Sequence, residues 1–203
     1  MLRGDYMDDI TEFKQRLANT HRDGVEELID WLGTTDFFHA PASTRFHGAW
    51  EGGLLEHSLQ AHDWLRTLVK FYVESPLANG QMADLTPESV AIVALCHDFC
   101  KIGLYKTEMR WRKDKFNRWE QYPTYKCDED FPFGGHGSKS VYLVQHFIKL
   151  SPAEAAAINC HMGSWDQSPY GKPSAVFETN PLAWLLHVAD EAASYNVKED
   201  KHV

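Results

Sequence analysis

Apolar residues recur along most of the chain at the three- and four-residue spacing of amphipathic helices. The longest such pattern runs from about Trp50 to Val73 and contains two apolar stripes rather than one. The stripes consist of Leu55, Leu59, His62, Leu65, Val69 and Tyr72, and of His57, Ala61, Trp64, Leu68 and Phe71. A helix with two apolar sides is covered on both, so this segment is predicted to be the central helix.

Three pairs of a capping residue and a proline mark further helix starts: Thr86-Pro87, Ser151-Pro152 and Asn180-Pro181. Proline fits the first turn of a helix because the N–H that it lacks has no partner there. Glu154 also stands where a capping box needs it. The pattern predicts helices over about Pro87–Asp98, Pro152–His161, Pro181–Tyr195 and Ile10–Leu17, from Asp23 to near Gly33, and from about Ser138 onward.

Between Tyr105 and Tyr125 the pattern changes to an alternation of aromatic and charged residues. A polar turn near Lys113 to Asn117 lies at its centre, and period-two alternation around such a turn is typical of a β-hairpin. No internal repeat or linker divides the chain. The sequence therefore predicts one all-α domain over residues 1–203, with a small inserted β-hairpin.

The formal net charge of −9 disfavours a protein that coats nucleic acid, since such binding needs an excess of Lys and Arg. The hairpin region is a local exception to this acidity. Its cations are Lys101, Lys106, Arg110, Arg112, Lys113, Lys115 and Arg118, against Glu108 and Asp114. These charges either meet a phosphate-bearing substrate or are solvated on an exposed hairpin. The aromatic residues Trp111, Phe116, Trp119 and Tyr122 either stack on bases or pack the hairpin onto the body.

The chain has no apolar run near eighteen residues, which excludes a membrane span, and its first residues are acidic where a signal peptide is apolar. A cytoplasmic protein is expected. Four cysteines are too few and too scattered for a disulfide framework. Cys96 and Cys100 lie one helical turn apart, but no second pair completes a thiolate zinc site, so we interpret them as reduced core thiols.

Ionisable residues stand in or at the end of several apolar segments, where an unpaired charge is costly. They are His57, His97, Asp98, His136, His161 and Asp190. Any one of them alone is more often a hydrogen-bonded core residue than a metal ligand. Six such residues in helices that must pack together favour the hypothesis that their side chains converge on a metal ion. Imidazole with carboxylate suits Mn, Fe, Zn or Ni, whereas Ca prefers oxygen ligands and structural zinc prefers thiolates. With four to six ligands, two ions bridged by a carboxylate are one outcome.

At these residues the sequence resembles the HD superfamily of metal-dependent phosphohydrolases. The resemblance is carried by His57, the pair His97-Asp98 and the distant Asp190, together with the stretches "HDFCKIG" and "FHGAWEGGLLEHS". It is strongest to the HD domain of bacterial 3′-to-5′ exoribonucleases and to related bacterial and phage HD proteins. It covers roughly residues 44–195 and implies an HD-type helical bundle.

The resemblance also implies a role for each residue. His57, His97, Asp98 and Asp190 would hold a first metal ion, and Asp98 would bridge to a second ion held by His136 and His161. One or two divalent ions per chain are expected, with Mn or Fe favoured and Mg, Ni, Zn or Co as alternatives. Lys101 would face a substrate phosphate as a point charge.

Other residues near these motifs have open roles. Arg45 and His47 either line the mouth of the site or lie on the surface. Glu51 and Glu56 are candidate proton donors to a leaving group, or solvated positions on a helix face. The glycines before His136 predict a turn that points its imidazole inward, and Ser138 is expected to cap the following helix.

The leading hypothesis is a phosphohydrolase in which metal-activated water attacks a phosphate ester of a nucleotide or of a short nucleic-acid end. The partner would be a phosphate-bearing small molecule or a nucleic-acid end, with no membrane involved. A module that binds a nucleotide or a partner without hydrolysing it is the alternative. A nucleic-acid-binding protein that works through the hairpin is a third hypothesis.

Overall fold

A computed structural model describes residues 3–78, 82, 84–132, 135–165 and 173–195 of the chain. These residues form eight α-helices and one two-stranded antiparallel sheet. The helices are α1 (Arg3–Ala18), α2 (Val25–Leu32), α3 (Gly53–Glu74), α4 (Pro87–Cys96), α5 (His136–Gln145), α6 (Pro152–Cys160), α7 (Pro173–Thr179) and α8 (Pro181–Tyr195). The strands are β1 (Tyr105–Lys113) and β2 (Trp119–Cys127), and 3-10 turns lie at Phe99–Lys101 and Gly163–Trp165. None of the helices in these ranges is long and apolar enough to cross a membrane.

Helix α3 packs against α4, α8 and α1 and forms the middle of the bundle, as the two apolar stripes predict. Both stripes are buried in its first half, where Leu55, His57 and Ala61 lie inside the core. The second stripe reaches the surface further along, because Trp64 and Phe71 are exposed. The predicted two-sided cover therefore holds only for the half of α3 that carries His57.

Helices α4 and α6 form the other part of the core that matters for the site. Helix α4 is buried at every position from Ser89 to Cys96, since it packs against α3, α6 and α8. Two of the three predicted caps, those of α4 and α6, are confirmed, and α8 begins at Pro181 as predicted. Thr86 Oγ1 accepts a hydrogen bond from the Ser89 amide at 3.1 Å, and Ser151 forms a complete capping box with Glu154. These caps fix where each helix starts.

Two expected helix starts were wrong in detail. The N-cap of α2 is Gly24 rather than Asp23, with a left-handed φ of 85°. A Cβ at Gly24 would lie 1.9 Å from the carbonyl oxygen of Phe147, so only glycine fits this close approach. Helix α5 begins at His136, and Ser138 donates to the carbonyl of Gly135 instead of capping the helix. The seven-residue α7 was not predicted, since too few positions define a helical period.

The hairpin prediction is confirmed, and its base rests on the loop that precedes α3. Strands β1 and β2 pair in antiparallel register around a turn at residues 114–118. The Tyr105 hydroxyl donates to the carbonyl of Ala42 at 3.2 Å, and Thr124 Oγ1 donates to that of Thr44 at 3.3 Å. The hairpin is thus attached at its base, while its turn points away from the core.

Candidate metal centre

Four segments bring a His or Asp side chain to one buried point in the bundle. Helix α3 contributes His57, the end of α4 contributes His97 and Asp98, the end of α6 contributes His161, and α8 contributes Asp190. All five side chains are buried. Five of the six residues singled out from the sequence as metal ligands therefore converge, although they lie up to 133 positions apart along the chain.

The donor atoms have the spacing that a single ion requires. Nε2 of His57 lies 3.2 Å from Nε2 of His97, 3.3 Å from Oδ2 of Asp98 and 3.0 Å from Oδ1 of Asp190. Nε2 of His97 lies 3.4 and 3.6 Å from the same two oxygens. Ligands bound at about 2.1 Å in tetrahedral or octahedral geometry are separated by roughly 3.0–3.4 Å. Two imidazoles and two carboxylates are therefore arranged as a ligand set.

The end of a helix fixes the orientation of two of the imidazoles. His97 and His161 are the C-cap residues of α4 and α6. Nδ1 of His97 donates to the carbonyl of Ala94 at 2.8 Å, and Nδ1 of His161 donates to that of Ile158 at 2.7 Å. Carbonyls in the last turn lack partners within the helix, so these bonds satisfy them and assign the proton to Nδ1. Each Nε2 is left with its lone pair facing the site, as metal-binding histidines require.

The site contains buried nitrogen atoms that the described side chains do not satisfy. Nε2 of His161 and Nδ1 of His57 have no hydrogen-bond partner among the described residues. Nε2 of His161 lies 3.6 Å from Oδ1 of Asp98. A lone pair and a carboxylate oxygen repel each other unless a positive charge lies between them, and a buried unsatisfied polar atom costs about 1–3 kcal/mol. The residues present therefore fit a divalent metal ion.

The carboxylates of the site are ionised at neutral pH. Burial raises the pKa of Asp98, but Lys101 and His97 lower it well below its usual range. Burial likewise raises the pKa of Asp190, and the imidazoles of His57 and His97 lower it. Burial lowers the pKa of His97, yet the two carboxylates raise it to about 10. The carboxylates thus draw a positive charge to His97, either a proton or a metal ion in its place.

Lys101 is placed beside the ligand set rather than away from it. Its Nζ lies 2.6 Å from Oδ2 of Asp98, and its side chain is buried. Burial lowers the pKa of Lys101, but the carboxylate of Asp98 raises it, so the ammonium is charged. The expected contact of Lys101 with a substrate phosphate stays a prediction. Lys101 lines a cavity that has space for a phosphate.

A cavity of about 840 Å³ opens above the donor atoms. Its polar wall includes Arg45, His47, Lys101, His136 and Asp190. The structure thus places Arg45 and His47 on the wall of the cavity. This agrees with the first of the two predicted positions, the mouth of the site or the surface. The pKa of His47 is lowered to about 4 by burial and by the nearby His57 and Lys101, so His47 is neutral at pH 7. Ser194 Oγ lies 3.3 Å from its Nε2.

The sixth predicted ligand, His136, does not belong to the cluster of donor atoms that the other five residues form. It is exposed and lines the cavity, and its Nδ1 is 3.3 Å from Sγ of Cys100. The donor groups that lie within 4.8 Å of one another among the described residues are His57, His97 and Asp98, and His97, His161 and Asp190. A second ion held by His136 and His161 therefore stays a prediction. Both thiols interpreted as core residues, Cys96 and Cys100, are buried.

The two carboxylates considered as proton donors are not among the described residues that line the cavity. The carboxylate of Glu56 accepts from Nε1 of Trp50 at 3.2 Å and from Nε2 of Gln60 at 3.1 Å. Glu51 is exposed and pairs with His39 at 3.2 Å. These contacts agree with positions on a helix face and on the loop before it. Their role as acids stays a prediction.

Sequence reasoning missed several residues that shape the site. Nδ1 of His187 donates to the carbonyl of His161 at 2.6 Å and so holds the backbone that carries this imidazole. Glu191, Ser194 and Tyr195 line the cavity. All four lie on α8, and His187 and Ser194, at −3 and +4 from Asp190, could have been found by helical spacing, whereas Glu191 and Tyr195, at +1 and +5, lie off that face. The cavity aromatics Phe46, Trp50 and Trp165 carry no such signal.

No family model, no curated protein and no solved structure matches this chain. The function proposed below therefore rests on the geometry of the site and on the motif resemblance already described.

Proposed function

We propose that this chain is a metal-dependent phosphohydrolase that acts on a phosphate ester of a nucleotide or of a nucleic-acid end. One observation carries the proposal: three imidazoles and two carboxylates converge, buried, beneath a cavity whose wall carries Lys101 and Arg45. In a cluster that only stabilised the fold, we would expect hydrogen-bond donors, rather than lone pairs, to face the carboxylates below an open cavity. The resemblance of the motifs around His57 and His97-Asp98 to HD phosphohydrolases supports the same function.

The ligand set defines which ions it favours. His57, His97, Asp98 and Asp190 would hold the first ion, and His161 and the more distant His136 would serve a second ion through Asp98. Mixed nitrogen and oxygen donors favour Mn or Fe, with Zn, Ni, Co or Mg as alternatives. A bound ion would lower the pKa of water to form the nucleophile and would neutralise charge on the phosphate.

The chain's own cations would bind the phosphate. Nζ of Lys101 has three N–H donors, of which the bond to Asp98 uses one, so others remain for an oxyanion in the cavity. Arg45 is exposed on the wall, with its guanidinium 5.1 Å from the ring of Phe46. This arrangement gives one fixed cation at the bottom of the cavity and one adaptable cation at its wall.

His47 would bind substrate without acting as an acid. A histidine with a pKa of about 4 holds no extra proton at pH 7, so it has none to give to a leaving group. Its neutral ring can still donate or accept one hydrogen bond, and Ser194 already lies within reach of its Nε2. The proposal therefore assigns His47 to substrate positioning and leaves protonation of the leaving group to water or to another group.

Hydrolysis assays test the proposal. The chain loaded with Mn²⁺ or Fe²⁺ is expected to cleave phosphomonoesters or phosphodiesters, including nucleotides, and Asp98→Asn is expected to lower the rate at least about 10²-fold. Glu26→Gln, an exposed carboxylate of α2, is the matched control and should retain the parental rate. Equal activity of Asp98→Asn and the parent would refute the assignment. Tight nucleotide binding without product, under every metal tried, would instead favour the non-hydrolysing module.

A further inference from the structure

The far end of the hairpin carries large aromatic side chains that nothing in the described chain covers. Trp111 is 61% exposed, and Phe116 and Trp119 are each 65% exposed. Packing against the body, one of the two predicted roles, is therefore wrong for these three rings. Tyr122 is half-buried, with the guanidinium of Arg112 4.9 Å from its ring. Contiguous exposed aromatic surface commonly marks an interaction site.

The strand register places the two tryptophans together. Trp111 pairs with Gln121, and Lys113 pairs with Trp119. Residues paired across an antiparallel ladder lie on the same face, and Trp111 and Trp119 occupy the diagonal positions of these neighbouring pairs. Met109, which pairs with Pro123 and is also exposed, extends the same face. The result is a flat aromatic platform, defined by Met109, Trp111 and Trp119.

The hairpin that carries the platform is rich in positive charge in an otherwise acidic chain. Seven cations and three carboxylates lie between Tyr105 and Cys127, whereas the whole chain has a net charge of −9. The ammonium of Lys113 lies 5.6 Å from the ring of Trp119, and the ammonium of Lys115 and the guanidinium of Arg118 lie 5.3 and 5.1 Å from the ring of Phe116. Within the described residues, no carboxylate lies at ion-pair distance from Lys113 or Lys115.

We propose that the aromatic platform and its cations form a binding surface for single-stranded nucleic acid. Such strands offer a phosphate backbone and unpaired bases, and proteins bind them with cationic grooves and stacked aromatic rings. Sheet-borne aromatics that stack bases are a known way to hold unpaired RNA. A protein partner fits less well, since the cores of protein interfaces are depleted in lysine.

The base of the hairpin lies beside the cavity wall. Thr124 of β2 is hydrogen-bonded to the carbonyl of Thr44, and the next residue, Arg45, lies on the cavity wall. A strand held on the platform would pass this base on its way to the candidate metal centre. This route rests on the proposed function, whereas binding to the platform does not.

The test measures binding alone. Fluorescence anisotropy of a labelled oligothymidylate is followed as the purified chain is added, and gel electrophoresis checks that the oligonucleotide stays intact. Binding that weakens as salt rises is expected. Trp111→Ala and Trp119→Ala should each weaken it at least about fivefold, and Lys113→Glu with Lys115→Glu should flatten the salt dependence. Phe71→Ala and Lys70→Glu, exposed residues of α3, are the matched controls and should bind like the parent.

Several outcomes would overturn the proposal. These are no binding of the oligonucleotide by the parent, equal binding of a duplex of the same length, or tryptophan variants that bind like the parent. Loss of self-association in these variants, with unchanged oligonucleotide binding, would assign the platform to a second copy of the chain. Binding to anionic phospholipid vesicles in place of the oligonucleotide would assign it to a membrane surface. A parent chain that binds the oligonucleotide but hydrolyses no phosphate ester would support binding at the platform and reject only the proposed function.

Discussion

The ammonium of Lys101 lies 2.6 Å from Oδ2 of Asp98, and both side chains are buried. This contact places a permanent positive charge beside a carboxylate that also faces three imidazoles, those of His57, His97 and His161. The site then has two negative charges, on Asp98 and Asp190, and one fixed positive charge, on Lys101. A second positive charge is needed for balance, and a proton on His97 or a metal ion can supply it.

Replacement of Lys101 by Met should therefore make the chain more dependent on metal. Without the ammonium, Asp98 is a buried carboxylate with less compensation, which should cost about 3 kcal/mol or more of unfolding free energy in a chelator. Added Mn²⁺ should raise the melting temperature of Lys101→Met more than that of the parent, because the ion replaces a missing charge. Thermal unfolding with and without metal measures both effects.

Lys139→Met is the matched control for this prediction. Lys139 is also buried, and its Nζ lies 3.1 Å from Oε1 of Glu129, away from the donor atoms. Its loss should destabilise the chain without changing the stabilisation by metal. If Lys101→Met and Lys139→Met responded alike to metal, the charge balance described for Asp98 would be wrong.

Glu154 should hold together the two helices whose ends carry His97 and His161. Its carboxylate accepts from Ser89 Oγ of α4 at 2.7 Å and pairs with Arg22 at 2.8 Å, in addition to its capping box. Glu154→Gln removes the charge that Arg22 pairs with and should cost about 3 kcal/mol. Chemical denaturation measures this loss. Glu26→Gln should change the stability by less than about 0.5 kcal/mol, and an equal loss in both variants would contradict the role of Glu154.

His62 should make the fold sensitive to mild acid. Burial and the adjacent Arg16, whose Nη1 lies 2.9 Å from Nδ1 of His62, lower its pKa from 6.5 to about 4. The folded chain therefore favours the neutral ring, so this stability is complete above pH 6.5 and is lost as the pH falls toward 4. The loss amounts to at most about 3 kcal/mol.

The free energy of unfolding as a function of pH tests this assignment. His62→Gln should remove part of the decline below pH 6.5, whereas a change at the exposed histidine that follows α5, His146→Gln, should leave the decline as in the parent. A parental profile in His62→Gln would show that the acid sensitivity lies elsewhere.

Helices with strong local signals were predictable from the sequence. Thr86-Pro87 and the Ser151 capping box fix α4 and α6 through contacts within four residues, so neither depends on the rest of the fold. Gly24 took the place of Asp23 because the backbone of Phe147 passes close by, and such an approach has no trace in the local sequence. The exposure of Trp64 and Phe71 likewise depends on where the neighbouring helices end.

The donor residues were predictable by type, but their geometry was not. His57, His97, Asp98, His161 and Asp190 were identified because ionisable groups in apolar segments need partners. The pairing of Lys101 with Asp98 and the exposed position of His136 depend on the 3-10 turn after α4 and on the packing of α5 beside it. Helical spacing puts His187 on the face of Asp190, but its role, a hydrogen bond to a backbone carbonyl, is not encoded by residue type.

Elemental analysis of the purified chain tests the metal centre most directly. The protein is incubated with Mn²⁺, Fe²⁺ or Zn²⁺, desalted and measured together with Asp190→Ala and His39→Ala, an exposed histidine outside the site. The parent and His39→Ala are expected to retain one or two ions per chain, and Asp190→Ala, checked for folding by circular dichroism, is expected to lose them. A parent that retains no ion, or a folded Asp190→Ala with the parental metal content, would contradict the account.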